Sequence, residues 1–137
     1  MPQDISVPAV FALDHFVLTV ADIPTTVQFY ENILGLQPEA FTTATGEIRQ
    51  ALRFGHSKIN LHQQGREFEP KAAHPTPGSA DLCFLTRSPL NKWEKKLASF
   101  NVAIEEGPVL RTGASGPLMS LYIRDPDQNL IEISIAG

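Results

Sequence analysis

The feature that most constrains the fold of this chain is a plan of short elements that occurs twice. The first copy has a strand, a helix and three strands, at about residues 13–20, 26–34, 37–42, 47–54 and 58–63. The second copy has the same order, at about residues 80–86, from 88 onward, 103–105, 118–124 and 130–135. A supersecondary unit that recurs at this scale predicts two βαβββ modules of about 60 residues each.

Turn and capping residues support the two helices. Asp22-Ile23-Pro24-Thr25 is typical of a helix start, and Gly35 is suited to the position just beyond a helix end. Apolar residues at helical spacing predict one buried face on each helix, formed by Val27, Tyr30 and Leu34 in the first and by Leu90, Trp93, Leu97 and Phe100 in the second.

The modules are too small to be stable alone. A unit of about 60 residues buries too little surface, so we expect the two to pack together, within one chain or between two. The 137 residues therefore form one α+β domain, with module one at about 11–65, a linker rich in proline and charge at about 66–78, and module two at about 79–136.

Composition excludes several classes of partner. The formal net charge is −4 and no basic run is present, so nucleic acid and anionic membranes are not expected partners. The N-terminal residues lack the pattern of a signal peptide, and no window is apolar enough to span a bilayer. Cys83 is the single cysteine. A chain with no possible internal disulfide is expected in a reducing compartment, the cytoplasm.

In the first and last strands of each module, polar residues lie on the face opposite the apolar side chains. Strand side chains alternate between faces, and the apolar faces belong against the helices. On a curved sheet with helices on its convex side, the other face then carries His15, His62, Asp81 and Glu132. Two imidazoles and one or two carboxylates are a sensible ligand set for a divalent transition metal. Taken singly, each has another interpretation: a structural histidine, a solvated strand glutamate, or a capping aspartate.

Three further residues are candidates for substrate binding. Tyr122 and Arg124 share a face opposite Leu121 and Ile123, and Arg53 lies opposite Leu52. A guanidinium matches a carboxylate or phosphonate in geometry and charge. Arg124 also fits a surface residue before a turn.

The sequence resembles the vicinal oxygen chelate superfamily, which groups glyoxalases, bleomycin-resistance proteins and dioxygenases. The resemblance lies in LDHFVLTVADIPTTVQFYENILGL near the start and LYIRDPDQNLIEIS near the end. The run KINLHQQGREFEPKAAHPTPGSADLCFL is more specific. It is similar to the group called the fifth glyoxalase-domain-containing protein and to bacterial relatives labelled virulence proteins.

This resemblance implies a cupped eight-stranded mixed sheet with the helices on its convex side, in a homodimer. It implies one divalent metal per site, nickel, zinc, manganese or iron, held by residues at the positions of His15, His62, Asp81 and Glu132. Glyoxalase I normally has glutamate where His62 stands, and histidine or glutamine where Asp81 stands. The departures argue against true glyoxalase I activity.

The function expected from the resemblance is metal-dependent lyase, isomerase or addition chemistry. The substrate would be small and oxygen-rich, with thiol conjugates included, and Glu132 or Asp81 would act as general base. Two alternatives remain open at this point. Two histidines and a carboxylate also match a ferrous dioxygenase, and bleomycin-resistance proteins bind a drug or metabolite without catalysis.

Overall fold

The computed structural model describes residues 5–137. Module one consists of β1 (His15–Val20), α1 (Ile23–Asn32), β2 (Gln37–Thr42), β3 (Ile48–Phe54) and β4 (Ser57–Gln63). Module two consists of β5 (Asp81–Leu85), α2 (Leu90–Ser99), β6 (Glu106–Gly113), β7 (Gly116–Arg124) and β8 (Leu130–Ala136). The prediction of two βαβββ modules in an α+β fold is confirmed.

The eight strands form two four-stranded mixed sheets. Sheet A has the order β1-β4-β3-β2 and sheet B the order β5-β8-β7-β6. In each sheet the first and last strands of the module are parallel neighbours, and the remaining pairs are antiparallel. The repeat in the sequence is thus a repeat of topology. Within the described chain the eight strands are divided between these two sheets, and no strand pairing joins them.

Local signals fix the ends of α1 as the sequence predicts. The Asp22 side chain accepts a hydrogen bond of 3.1 Å from the Thr25 backbone N–H, and Pro24 lies in the first turn. At the other end Gly35 has φ +79°, and the Leu36 N–H bonds the Tyr30 carbonyl at 3.0 Å. This left-handed residue suits glycine because it has no Cβ.

One hydrophobic cluster joins the modules. Its fully buried members include Val20, Tyr30 and Leu52 of module one with Leu97 and Ile131 of module two. Both helices therefore lie against the apolar faces of the sheets, as predicted, and the modules pack together within this chain. Both helices have 10 residues, and none in the described part of the chain has the length and apolarity needed to cross a membrane.

The sixth strand was predicted wrongly. It runs Glu106–Gly113, after the predicted 103–105. The sequence did not predict this strand at Gly107 and Pro108, because both residues disfavour a regular strand. β6 is an edge strand, and its register against β7 shifts between Glu106 and Val109. Such a bulge accommodates Gly107, which has φ +113°.

Candidate functional site

The candidate ligands lie on the faces of the sheets that point away from the shared core, which we call the outer faces. On β1 the core-facing Leu18 and Val20 are buried while His15 and Val17 are exposed. On β8 Ile131 and Ile133 are buried in the core, and Glu132 between them is half-buried. The predicted alternation is confirmed. It places His15, His62, Asp81 and Glu132 on outer faces.

The strand register gives the two modules equivalent positions. In sheet A, Val17 of β1 pairs with Asn60 of β4, and His15 lies two residues before Val17. In sheet B, Cys83 of β5 pairs with Glu132 of β8, and Asp81 lies two residues before Cys83. Diagonal neighbours on one face of a sheet are within reach of long side chains. The module-one counterpart of the Asp81–Glu132 pair is therefore His15 with Asn60.

His62 lies elsewhere on the same face. It pairs with Thr19, four residues along β1 from His15, which is about 13 Å of strand. The register therefore does not support the expectation that His62 matches Glu132 as a ligand beside His15. Periodicity assigned its face correctly, but the position along the strand depends on pairing.

The His62 side chain is buried beside an aromatic ring. The side chain is buried, with 3% of its surface exposed, and its ring centroid lies 5.6 Å from that of Phe68. Burial, and secondarily the nearby charge of Arg49, lowers the pKa of His62 below its ordinary value. The imidazole is thus neutral at neutral pH. It makes no hydrogen bond to another residue in the range 5–137.

Asn60 is a candidate that the sequence did not single out. Only 7% of its surface is exposed, and its Oδ1 is buried without a hydrogen-bond partner among the described residues. A buried amide oxygen without a partner carries a desolvation cost. The alternation of β4 already placed Asn60 on the same face as His62. Only the pairing with Val17 shows that it occupies the position equivalent to Glu132.

Two buried serines hold Glu132. Ser120 Oγ donates to Glu132 Oε2 at 2.6 Å, and Ser134 Oγ donates to the same oxygen at 3.2 Å. The two hydroxyls lie 2.7 Å apart, and both residues are fully buried. Both bonds reach Oε2, so neither serine occupies Oε1. A carboxylate oriented in this way is suited to binding a cation or accepting a proton.

The predicted ligands do not converge within one chain. Across residues 5–137, no group of three or more His, Cys, Asp or Glu side chains is arranged to hold a metal ion. His62 and Asp81 line a cavity of about 470 Å³ between β1, β5 and the linker. Glu132 lines a different cavity of about 440 Å³, beside the β6–β7 hairpin. His15 is exposed and its Nδ1 lies 2.8 Å from Asp14 Oδ2.

The predicted substrate-binding arginines are already paired. Arg53 makes two bonds of 3.0 Å to Glu39, and Arg124 makes two bonds of 3.0 Å to Glu105. Tyr122 lies beside Glu132 on the outer face, where its hydroxyl accepts a bond of 3.0 Å from Arg111 Nε. Each of these guanidiniums has a partner in the chain, so none is an unoccupied anion-binding group.

Comparison with known proteins gives consistent matches. The model of the glyoxalase/bleomycin resistance protein/dioxygenase superfamily matches residues 12–133. The virulence protein STM3117 of Salmonella typhimurium is 58% identical over 122 residues, covering 89% of this chain and 82% of that protein. Its crystal structure aligns with a TM-score of 0.86 at 55% identity, over 95% of this chain and 100% of that one. The glyoxalase domain-containing protein RDO1 of Mycosarcoma maydis is 50% identical over 126 residues, covering 92% of this chain and 69% of that protein.

More distant structures share the fold alone. Lactoylglutathione lyase of Agrobacterium tumefaciens has a TM-score of 0.67 at 21% identity, over 93% of this chain and 95% of that one. FosX, a fosfomycin resistance protein of Listeria monocytogenes crystallised with Mn(II) and a dihydroxypropylphosphonic acid, has a TM-score of 0.63 at 17% identity, over 94% and 93% of the two chains. TnmS3, an antibiotic binding protein of a Streptomyces species, has a TM-score of 0.71 at 19% identity, over 96% and 100% of the two chains.

Proposed function

We propose that this chain, which belongs to the glyoxalase/bleomycin resistance protein/dioxygenase superfamily, is a metal-dependent enzyme acting on a small oxygen-rich substrate by lyase, isomerase or addition chemistry. The observation that carries the proposal is the equivalence of two outer-face pairs, His15 with Asn60 and Asp81 with Glu132. Each pair joins the first and last strand of one module.

The proposed ligands are His15, Asp81 and Glu132, with the Asn60 amide oxygen as the fourth. One imidazole and three oxygen donors suit nickel, zinc, manganese or iron. Asn60 supports this fit, because its buried oxygen has no partner in the range 5–137. His62, proposed from the sequence as a ligand, is reassigned beside the site because it lies level with Thr19.

A second copy of the chain completes the proposed site. The outer faces carry exposed apolar side chains next to the candidate ligands, with Val17 46% and Leu85 74% exposed. Burying such side chains favours association. We therefore place module one of one chain against module two of its partner, which brings His15 and Asn60 toward the partner's Asp81 and the partner's Glu132 in a homodimer.

The bound metal would polarise neighbouring substrate oxygens and stabilise negative charge on them. Glu132, fixed through Oε2 by Ser120 and Ser134, is the proposed base that removes a proton from substrate carbon or an attacking group. Asp81 is exposed at the rim of the 470 Å³ cavity, and it is the second candidate for that proton transfer.

The alternatives have weaker support. A ferrous dioxygenase with His15, His62 and Glu132 as its triad requires two histidines that lie about 13 Å apart along the strands. A purely sequestering protein has no need for a glutamate held by two buried serines.

Metal content tests the proposal directly. Protein purified without added metal is analysed for bound metals, then titrated with Ni²⁺, Zn²⁺, Mn²⁺ and Fe²⁺ by calorimetry and thermal melting. We expect a stoichiometric metal, and an affinity loss of about tenfold or more for His15→Ala. His56→Ala, at an exposed histidine in the β3–β4 turn, is the matched control. Wild-type protein that neither contains nor is stabilised by any of these metals would support a sequestering protein.

Subunit mixing tests the shared site. His15→Ala and Glu132→Gln proteins are unfolded together, refolded and assayed for bound metal. If the sites form between chains, each mixed dimer regains one intact site and metal binding partly returns. If each site lies within one chain, every site keeps one substitution and nothing is regained. Turnover of the hemithioacetal of methylglyoxal and glutathione, and oxygen uptake with catechols, then distinguish the lyase and dioxygenase reactions.

A further inference from the structure

Arg49 differs from the paired arginines of this chain. Its Nε is fully buried and has no hydrogen-bond partner among the described residues. Its guanidinium carbon lies 4.2 Å from the ring centroid of Phe68, so the group is stacked on an aromatic face. No ion pair to Arg49 is found in the 5–137 range. A partly buried cation that lacks an acceptor is costly unless a ligand supplies one.

Arg49 lies across from His62 on the outer face of sheet A. The antiparallel register pairs Ala51 with Asn60 and Gln50 with Leu61, and the next position brings Arg49 opposite His62. Phe68 contacts both side chains. The imidazole also lacks a hydrogen-bond partner in the described chain, so two donor-bearing side chains lie beside one aromatic wall with no acceptor between them.

Glu67, the residue before Phe68, forms no ion pair with Arg49. Glu67 acts on His62 electrostatically, but its Oε2 accepts a bond of 2.8 Å from the Gly65 N–H. His62 also lines the 470 Å³ cavity that extends to Asp81, with Lys71 and His74 on its linker side. This cavity therefore leaves space between the His62 imidazole and Asp81, one of the proposed metal ligands.

We propose that Arg49 and His62, backed by Phe68, form a subsite for one anionic group of the substrate, a carboxylate or a phosphate-type oxyanion. The guanidinium supplies charge and the buried Nε–H, and the imidazole supplies a second donor. Phe68 excludes water from one side, which strengthens both bonds. The inference rests on the proposed function and narrows its substrate to a small acid.

Anion titration of metal-free protein tests the subsite. The full chain, treated with EDTA, is titrated with inorganic phosphate and separately with acetate at constant ionic strength. Binding is followed by calorimetry and by the Nε–Hε resonance of Arg49 in ¹H–¹⁵N spectra. We expect a saturable shift of this resonance with at least one of the two anions, and the stronger response identifies the oxyanion or carboxylate class.

Variants separate the subsite from general charge. Arg49→Gln is expected to weaken anion binding by about tenfold or more. Arg87→Gln, which removes the same charge from an exposed turn, is expected to bind as the wild type does. Arg49→Lys covers the case in which Arg49→Gln fails to fold. It keeps the charge without the planar donors, so its binding should be intermediate.

Two results would overturn the subsite. One is an Arg49 resonance unmoved by both anions, and the other is Arg49→Gln protein that is folded and binds them as tightly as wild type. Because the anion titration uses no metal, the two proposals can fail separately. Protein that binds no metal but still binds the anions would refute the proposed function and leave this inference standing.

Discussion

Tyr30 Oη donates a hydrogen bond of 2.7 Å to Asp125 Oδ2, and both residues are buried. This bond joins α1 of module one to the β7–β8 turn of module two. Asp125 in turn accepts bonds from the Asp127 and Asn129 backbone N–H groups and from the Asn129 amide. The carboxylate thus fixes the turn and the module interface together, and burial raises the pKa of Tyr30, so the phenol keeps its proton.

Tyr30→Phe should lower the free energy of unfolding by about 1–3 kcal/mol, because it leaves a buried carboxylate oxygen with one donor fewer. Urea denaturation measures the change. Tyr122→Phe is the control, since that half-buried hydroxyl accepts its bond from the partly exposed Arg111, and a smaller loss is expected. Equal losses for the two variants would contradict a special role for the module contact.

Ser120→Ala should weaken metal binding by about tenfold, because it removes the shorter of the two bonds that orient Glu132. Calorimetric metal titration at fixed pH is the measurement. Ser115→Ala, in the exposed β6–β7 turn, should leave the affinity unchanged. An unaltered affinity in folded Ser120→Ala protein would show that the Ser120 bond does not position a metal ligand.

Gly78→Ala should cost more stability than Gly46→Ala. Both glycines have φ near +87°, at +86° and +87°, where a Cβ costs about 1–2 kcal/mol. At Gly46 that Cβ meets nothing within 4 Å, but at Gly78 it would lie 2.5 Å from the Asp127 carbonyl oxygen. Thermal and urea unfolding of both variants compare the two costs. Similar losses would mean that the linker moves away from Asp127 without strain.

His62 should make metal-free protein less stable in mild acid. Its pKa is lowered in the folded state, mainly by burial, so below the ordinary value of 6.5 the unfolded chain takes up a proton that the folded chain resists. Above pH 6.5 the histidine does not disfavour the folded state. As the pH falls from 6.5 toward the folded pKa of His62, the free energy of unfolding decreases. Urea unfolding at pH 7.5 and 5.5 should show a smaller difference in His62→Gln than in the control His56→Gln.

The sequence alone determined the modules, most strand bounds and the face on which each polar residue lies. Turn residues and an alternation of two residues are local properties, so Asp22 and Gly35 bound α1 as predicted, and His15 and Glu132 lie on outer faces. The exception was β6, whose Gly107 and Pro108 are tolerated only because the strand is a bulged edge.

Tertiary structure alone decided the strand register, and with it which polar residues lie opposite one another on neighbouring strands. Alternation fixes a face but not a register, because shifting a strand by two residues keeps every side chain on its own side. The parallel pairing of β1 with β4 set Asn60, rather than His62, in the position equivalent to Glu132. Folding likewise gave Arg53 and Arg124 their carboxylate partners and left Arg49 without one among residues 5–137, since ion pairing depends on distances that no local pattern encodes.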